Sequence, residues 1–312
     1  MAILKLKPAC KDYIWGGRRL IEEYGIRTEK TRAAEAWVLS AHPDGESKVI
    51  GEDITLSEYI KRGGKKILGT NCEGLKEFPL LVKLIDAREN LSVQVHPTNE
   101  YALANENQMG KVEMWYVIDA EEDARLYCGF NRKVTREEFI NRIENNTLME
   151  ILNAIKVKRG DIIYVPAGTV HAIGKGVLVA EIQQNSNVSY RIYDYGRNRP
   201  LHIDKALDVT NLERFKNRDE SYPHVVACEY FVVDRINLDG KILTEARGTV
   251  DEKSFMGVLI LDGLGTISGG GESFSYRKGD TFFLPADSGE WTIDGNCDAL
   301  LVTVPESHGK NI

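Results

Sequence analysis

The chain has 312 residues, 42% of them apolar and 28% charged, with a formal net charge of −7. That is the balance of a soluble globular protein large enough to bury a sizeable core, as one large domain or two ordinary ones. No basic tract stands out, which speaks against a nucleic-acid partner, and an anionic ligand must be held by a few local cations against the overall field.

The N-terminus, MAILKLKPACKDYIWGG, lacks the apolar run and small-residue cleavage site of a signal peptide. No stretch reaches the roughly 20 apolar residues that span a bilayer, so the expectation is a cytoplasmic protein without a membrane partner. The five cysteines (Cys10, Cys72, Cys128, Cys228, Cys297) are odd in number and lack C-x-x-C spacing, and they read as reduced apolar filler.

Along the chain, TEKTRAAEAWVLSAHPDG reads as a strand ending in a turn. TLSEYIKRGGKKI reads as a short helix capped by Thr55 and closed by glycines. Phe78 to Ala87 is a buried strand. In LSVQVHP the alternation turns Val93 and Val95 one way and Ser92, Gln94 and His96 the other, and Pro97 ends the strand. Lys111 to Ala120 is a further strand. TREEFINRIENNTLMEILNAI has helical spacing behind a Thr135–Glu138 capping box and predicts a helical insertion near 135–155. Strands resume at GDIIYVPAGTVHAI and GVLVAEIQQNSNVSYRIYDYG. The polar stretch NLERFKNRDESYPH predicts a linker, and from Val225 onward short strands and glycine turns predict an all-β barrel or sandwich.

One segment recurs. GDIIYVPAGTVHAI starts at Gly160 and GDTFFLPADSGEWTI at Gly279, with the same spacing from glycine to Pro166 or Pro285 and on to His171 or Glu290. The repeat predicts two related halves, of which the second has lost a ligand at the histidine position.

Gln94 and His96 share a polar strand face, Glu113 lies on the following strand, and His171 follows a Pro-x-Gly turn. A His-Pro at a strand end or a glutamate on a strand is, taken singly, an ordinary turn or solvent-facing residue. Together these residues make poor core and a good divalent-cation site with an open position, the arrangement of a catalytic metal.

Gly160 to His171 resembles the second cupin motif, glycine, five residues, Pro-x-Gly, two residues, histidine. The chain further resembles the type I mannose-6-phosphate isomerases of the short bacterial form. The matching pieces run in the family's order through the first two thirds: YIWGG at Tyr13, EAW at Glu35, LLVKLIDARENLSVQVHP at Leu80, GKVEMWYV at Gly110, PAGTVHAIG at Pro166, EIQQNSNVSYRIYDYGR at Glu181 and LHIDKAL at Leu201.

The resemblance implies a mainly β fold of two cupin (jelly-roll) β-barrels in tandem with short helical additions. Residues 1–215 would be the metal-binding cupin domain and 216–312 a degenerate barrel without metal. It implies one Zn2+ per chain on Gln94, His96, Glu113 and His171, and interconversion of mannose 6-phosphate and fructose 6-phosphate. It also implies Lys83, Lys111 and Arg191 as cations facing a small sugar phosphate, with Glu181 and Trp15 as further pocket residues. The large helical domain of longer relatives is missing here, and Gly110 stands where some of them carry histidine.

Moving a proton between C1 and C2 through an enediol needs a base and positive charge beside the developing oxyanion. Lys83, Lys111 and Arg191 suit both demands and the phosphate as well, with Glu181 an alternative base. Lys83 also reads as an edge residue snorkelling to water, and Arg191 as a partner for Asp194. Two other readings share the ligand set: an iron-dependent cupin oxygenase, and a non-enzymatic sugar-phosphate-binding cupin. The oligomeric state, monomer or dimer, is left open.

Overall fold

The computed structural model describes residues 2–217 and 223–306. Three antiparallel sheets make up the molecule. In the first half, a six-stranded sheet runs in the order Ile162–Val165, Glu113–Ala120, Val177–Gln184, Leu80–Ala87, Glu35–Ser40, Ala9–Lys11. Facing it is a five-stranded sheet in the order Tyr190–Tyr193, Val93–Val95, His171–Ile173, Arg125–Phe130, Leu152–Lys156. The two form a jelly-roll sandwich, not hydrogen-bonded into one cylinder. The second half is a nine-stranded sheet folded around its own apolar interior, which includes Val258, Ile260, Phe282, Trp291 and Ile293.

The six-stranded sheet is buried on both faces. Every residue of Leu80–Ala87 and of Val177–Gln184 is buried, which is why both read as continuous apolar runs. Ile85, Trp115, Val117, Val177 and Val179 face the five-stranded sheet across a floor shared with Leu126 and Ile173. Leu80, Val82, Leu84, Met114, Tyr116 and Ile182 face the other way and share one core with Phe231, Val233, Phe255, Phe283 and Leu300 of the second half. Val93 and Val95 point out of the sandwich into a cluster closed by Phe139 and Ala206 of two surface helices, so the alternation expected for this strand holds.

The repeated segments fold alike. Gly160 and Gly279 take left-handed φ values of 91° and 86°. Asp161 and Asp280 each accept from the backbone three residues earlier at 2.9 Å, and Thr169 and Ser288 each donate to the carbonyl of the proline three residues before at 3.2 Å. They part where His171 opens a buried strand while Glu290 is exposed on a long one.

Thr55 forms a full capping box with Glu58 at helix Leu56–Gly63. The box expected at Thr135 is only half made: Thr135 caps, while the Glu138 carboxylate turns to Arg132 at 2.8 Å. The insertion is also shorter than 135–155. The helix covers Arg136–Glu144, Asn146 takes a left-handed φ of 57°, and a strand begins at Leu152. The N-terminal strand Leu4–Lys7 pairs with Thr281–Leu284, so the nine-stranded sheet draws on both sides of the division expected at 215/216. Of the linker expected at Asn211–His224, residues 218–222 lie outside the described ones, as does His308.

Candidate active site

The polar end of the sandwich interior is built by strand register. Gln94 is paired with His171 on one side and with Arg191 on the other, so the three side chains share the inward face of the five-stranded sheet. Glu113 opens its strand on the opposite sheet, paired with Gln183 and Val165. His96, Glu113 and His171 are 1%, 0% and 0% exposed, and one ligating atom of each lies within 4.8 Å of the others. Gln94 is half-buried beside them.

Hydrogen bonds fix the imidazoles. His96 Nδ1 lies 3.0 Å from the Val188 carbonyl, with the Ser189 hydroxyl at 3.2 Å, and His171 Nδ1 lies 2.8 Å from the Thr169 carbonyl. A ring nitrogen against a carbonyl carries the proton, which leaves Nε2 of each neutral ring as a bare acceptor. Those Nε2 atoms face the Glu113 oxygens at 3.5 and 3.4 Å. Acceptors therefore point at acceptors, and both Nε2 atoms and both Glu113 oxygens lack any hydrogen-bond partner. Protonating the rings is disfavoured: burial, with the Lys111 charge added, pushes His96 down to about 3, and burial lowers His171 as well. A bound cation satisfies all four atoms, so the donor set fits a divalent metal.

Beside this cluster lies a row of charged groups. Trp37, Lys83, Glu181 and Trp115 are successive cross-strand neighbours on four strands of the six-stranded sheet. Lys83 donates to Glu181 Oε1 at 2.9 Å, and the Trp115 indole N–H donates to Oε2 at 3.1 Å. Lys111 Nζ sits 3.0 Å from Glu113 Oε2 and 3.7 Å from Glu181 Oε1. All four charged residues are at most 4% exposed. Lys83 is thus no edge residue. Burial alone would lower its pKa, but the charges of Glu181 and Glu35 outweigh it and keep the ammonium protonated. Burial would likewise raise Glu113; Lys111 and the two imidazoles hold it well below the usual carboxylate range.

Arg191 lies at the rim, donating to Ser92 Oγ at 3.3 Å and to the Pro200 carbonyl at 2.8 Å. It does not pair with Asp194, which takes Arg199 through two bonds of 2.7 and 2.6 Å, with Arg197 at 3.5 Å. The exchange is one of direction: Arg191 faces inward on its strand, whereas the turn after Tyr193 brings Arg197 and Arg199 back over the buried carboxylate. Trp15 is 4% exposed in the apolar floor, with Tyr13 stacked on it at 5.5 Å, so it forms a wall. A groove of about 1190 Å³ runs outside, along His42, Asp44, Phe78, Asn187 and Tyr190. It contains none of the ligand cluster and meets it only through Ser189 and Val188, the partners of His96. Sequence reasoning gave no role to Trp37, Trp115 or Ser189. The two indoles were within reach, since each lies on a strand already read as inward-facing.

Comparison with known proteins agrees with this geometry. The family model "Phosphomannose isomerase type I, catalytic domain" matches residues 3–132, and "Mannose-6-phosphate isomerase, cupin domain" matches residues 221–304. The chain is 37% identical to mannose-6-phosphate isomerase ManA of Bacillus subtilis, over 96% of this chain and 98% of that protein. It is 36% identical to mannose-6-phosphate isomerase of Streptococcus mutans, over 92% and 93%. The crystal structure of mannose 6-phosphate isomerase from Bacillus subtilis superposes with a TM-score of 0.85 at 33% identity, covering 97% of this chain and 99% of that one. Two cupin-type β units joined through one core, a buried His-Glu-His cluster and relatives matched nearly end to end place the chain in the type I mannose-6-phosphate isomerase family.

Proposed function

We propose that the protein is a zinc-dependent aldose–ketose isomerase that interconverts mannose 6-phosphate and fructose 6-phosphate by moving a proton between C1 and C2 through an enediol. The observation that carries this reading is the set of four buried acceptor atoms on His96, Glu113 and His171, set directly beside Lys83, Lys111 and Glu181. Gln94, in register with His171, completes the ligand set from the side open to the pocket. Zinc held there supplies a Lewis acid for the sugar oxygens.

The remaining work falls to the chain itself. Lys83, kept protonated by Glu181, supplies fixed positive charge toward the developing oxyanion. It is therefore not the base. The proton between C1 and C2 passes through Lys111 or Glu181, which face each other at 3.7 Å. Arg191 presents its guanidinium, bonded only to neutral acceptors, at the rim where the phosphate enters. The closed apolar floor under Trp115 and Trp15 keeps water from beneath the enediol.

The test is a coupled assay of mannose 6-phosphate conversion, with and without a chelator, together with metal analysis. Activity is expected to vanish on chelation and return with zinc. His171→Ala is expected to lose both metal and activity. Metal content unchanged in that variant, or full activity in the chelated protein, would overturn the assignment.

A further inference from the structure

We propose that Trp115 is a positioning residue for this reaction: its indole N–H holds the Glu181 carboxylate so that a single oxygen faces both Lys83 and Lys111. The inference rests on the isomerase reading above.

Trp115 is 1% exposed, and an indole so deep must find an acceptor for its N–H. It finds the Glu181 carboxylate, its cross-strand neighbour, bonding Oε2 at 3.1 Å. That leaves Oε1 to meet Lys83 at 2.9 Å and Lys111 at 3.7 Å. The terminal torsion of a glutamate is soft and nearly two-fold, so without a donor on Oε2 the carboxylate is free to turn and present either oxygen to the lysines. The same indole meets the His171 ring edge to face, at 5.5 Å and 70°. One rigid side chain thus touches the imidazole of the acceptor cluster and the carboxylate shared by the two lysines. On the other side of Lys83 the pattern recurs: the Trp37 N–H donates to Glu35 at 2.7 Å, with Lys83 Nζ 5.2 Å above the Trp37 ring. The row is braced at both ends, and Trp115 is the brace that bonds the shared carboxylate directly.

Trp115→Phe keeps a ring against His171 and removes only the donor. Expected are a fall in kcat of about tenfold, the size of one hydrogen bond to a charged group, a KM within twofold of wild type, and unchanged metal content. A structural role would instead lower metal content or thermal stability and leave kcat per bound metal intact, and that outcome overturns the proposal.

A second readout needs no activity. The chain has four tryptophans, so its indole N–H signals are few, and Trp115→Phe identifies the one that matters. Glu181→Gln should shift that resonance upfield as a charge-assisted bond becomes a neutral one, with the other three in place. An unmoved signal overturns the proposal. A wild-type protein with no isomerase activity but a responsive Trp115 signal would sink the isomerase reading and leave the hydrogen bond standing, so the two failures are distinguishable.

Discussion

The Lys83–Glu181 pair allows stability and function to be separated. Both residues are at most 4% exposed, and breaking a buried pair by removing one partner typically costs about 3–5 kcal/mol, because the other charge is stranded. Lys83→Met strands Glu181, with Lys111 3.7 Å away as the remaining cation and Trp115 still donating to Oε2. The penalty has a ceiling: a carboxyl group of ordinary strength takes up a proton at a cost of about 3.7 kcal/mol at pH 7 and about 1 kcal/mol at pH 5. We therefore expect Lys83→Met to be destabilised by about 3 kcal/mol at pH 7, a fall in thermal midpoint of about 6–9 °C, and by about 1 kcal/mol at pH 5. Replacing both partners, Lys83→Met with Glu181→Gln, removes the stranded charge while the amide oxygen still accepts from Trp115. Most of the lost stability should return while the isomerase activity does not. Thermal unfolding at the two pH values and the coupled assay read the two effects separately. A double variant no more stable than Lys83→Met, or a Lys83→Met protein that is stable and active at pH 7, would refute the reasoning.

The metal-free protein should lose stability as pH falls. Its His96 lies at about 3 when folded and near 6.5 when unfolded, so the unfolded chain binds more protons in that window. The contribution is complete above about pH 6.5 and is lost toward pH 3 at up to about 1.4 kcal/mol per pH unit, with His171 adding in the same sense. The thermal midpoint of chelated wild type should therefore fall between pH 7 and pH 5 more steeply than that of chelated His96→Gln; parallel curves would count against it. Gly110→Ala should lower both stability and kcat, because a Cβ there would lie 2.4 Å from the Thr98 and Asn99 backbone and 2.7 Å from the Pro97 carbonyl oxygen. That same carbonyl accepts from Lys111 N at 3.0 Å, so opening the turn shifts Lys111, at a cost of about 1–3 kcal/mol; wild-type kinetics in this variant would show that the turn does not set the lysine.

The metal cluster was legible because each of its parts is local. Alternation in LSVQVHP is enough to turn Gln94 and His96 away from Val93 and Val95, and the recurrence at Gly160 and Gly279 sets His171 at the end of a turn seen twice. What local spacing does not carry is register between distant strands. Lys83, Glu181 and Trp115 meet only because strands 98 and 66 residues apart pair without a slip, and a slip of one residue would turn Glu181 to the opposite face. The pairing of Leu4–Lys7 with Thr281–Leu284 is hidden for the same reason. The acceptors that set the two imidazole tautomers are backbone carbonyls of Val188 and Thr169, and a carbonyl leaves no mark in a sequence. At Asp194 the error was one of proximity: the arginine three residues before it faces the pocket, and the ones three and five residues after it close the ion pair.

Charge bookkeeping ties the site to its substrate class. Lys83 and Lys111 are balanced by Glu181 and Glu113, with both histidines neutral, so the buried cluster by itself carries no net charge. A divalent cation leaves it with a surplus of two positive charges, and Arg191, bonded to Ser92 and Pro200, adds a third at the rim. The chain as a whole carries −7, so this surplus is local and opposes the surrounding field. A phosphate monoester brings about −1.5 to −2 at neutral pH, which a neutral hexose lacks. Discrimination for the phosphorylated sugar then follows from the loaded cluster as much as from any one phosphate contact. Its strength should fall as ionic strength rises, most steeply for Arg191, which is the least buried of the cations involved.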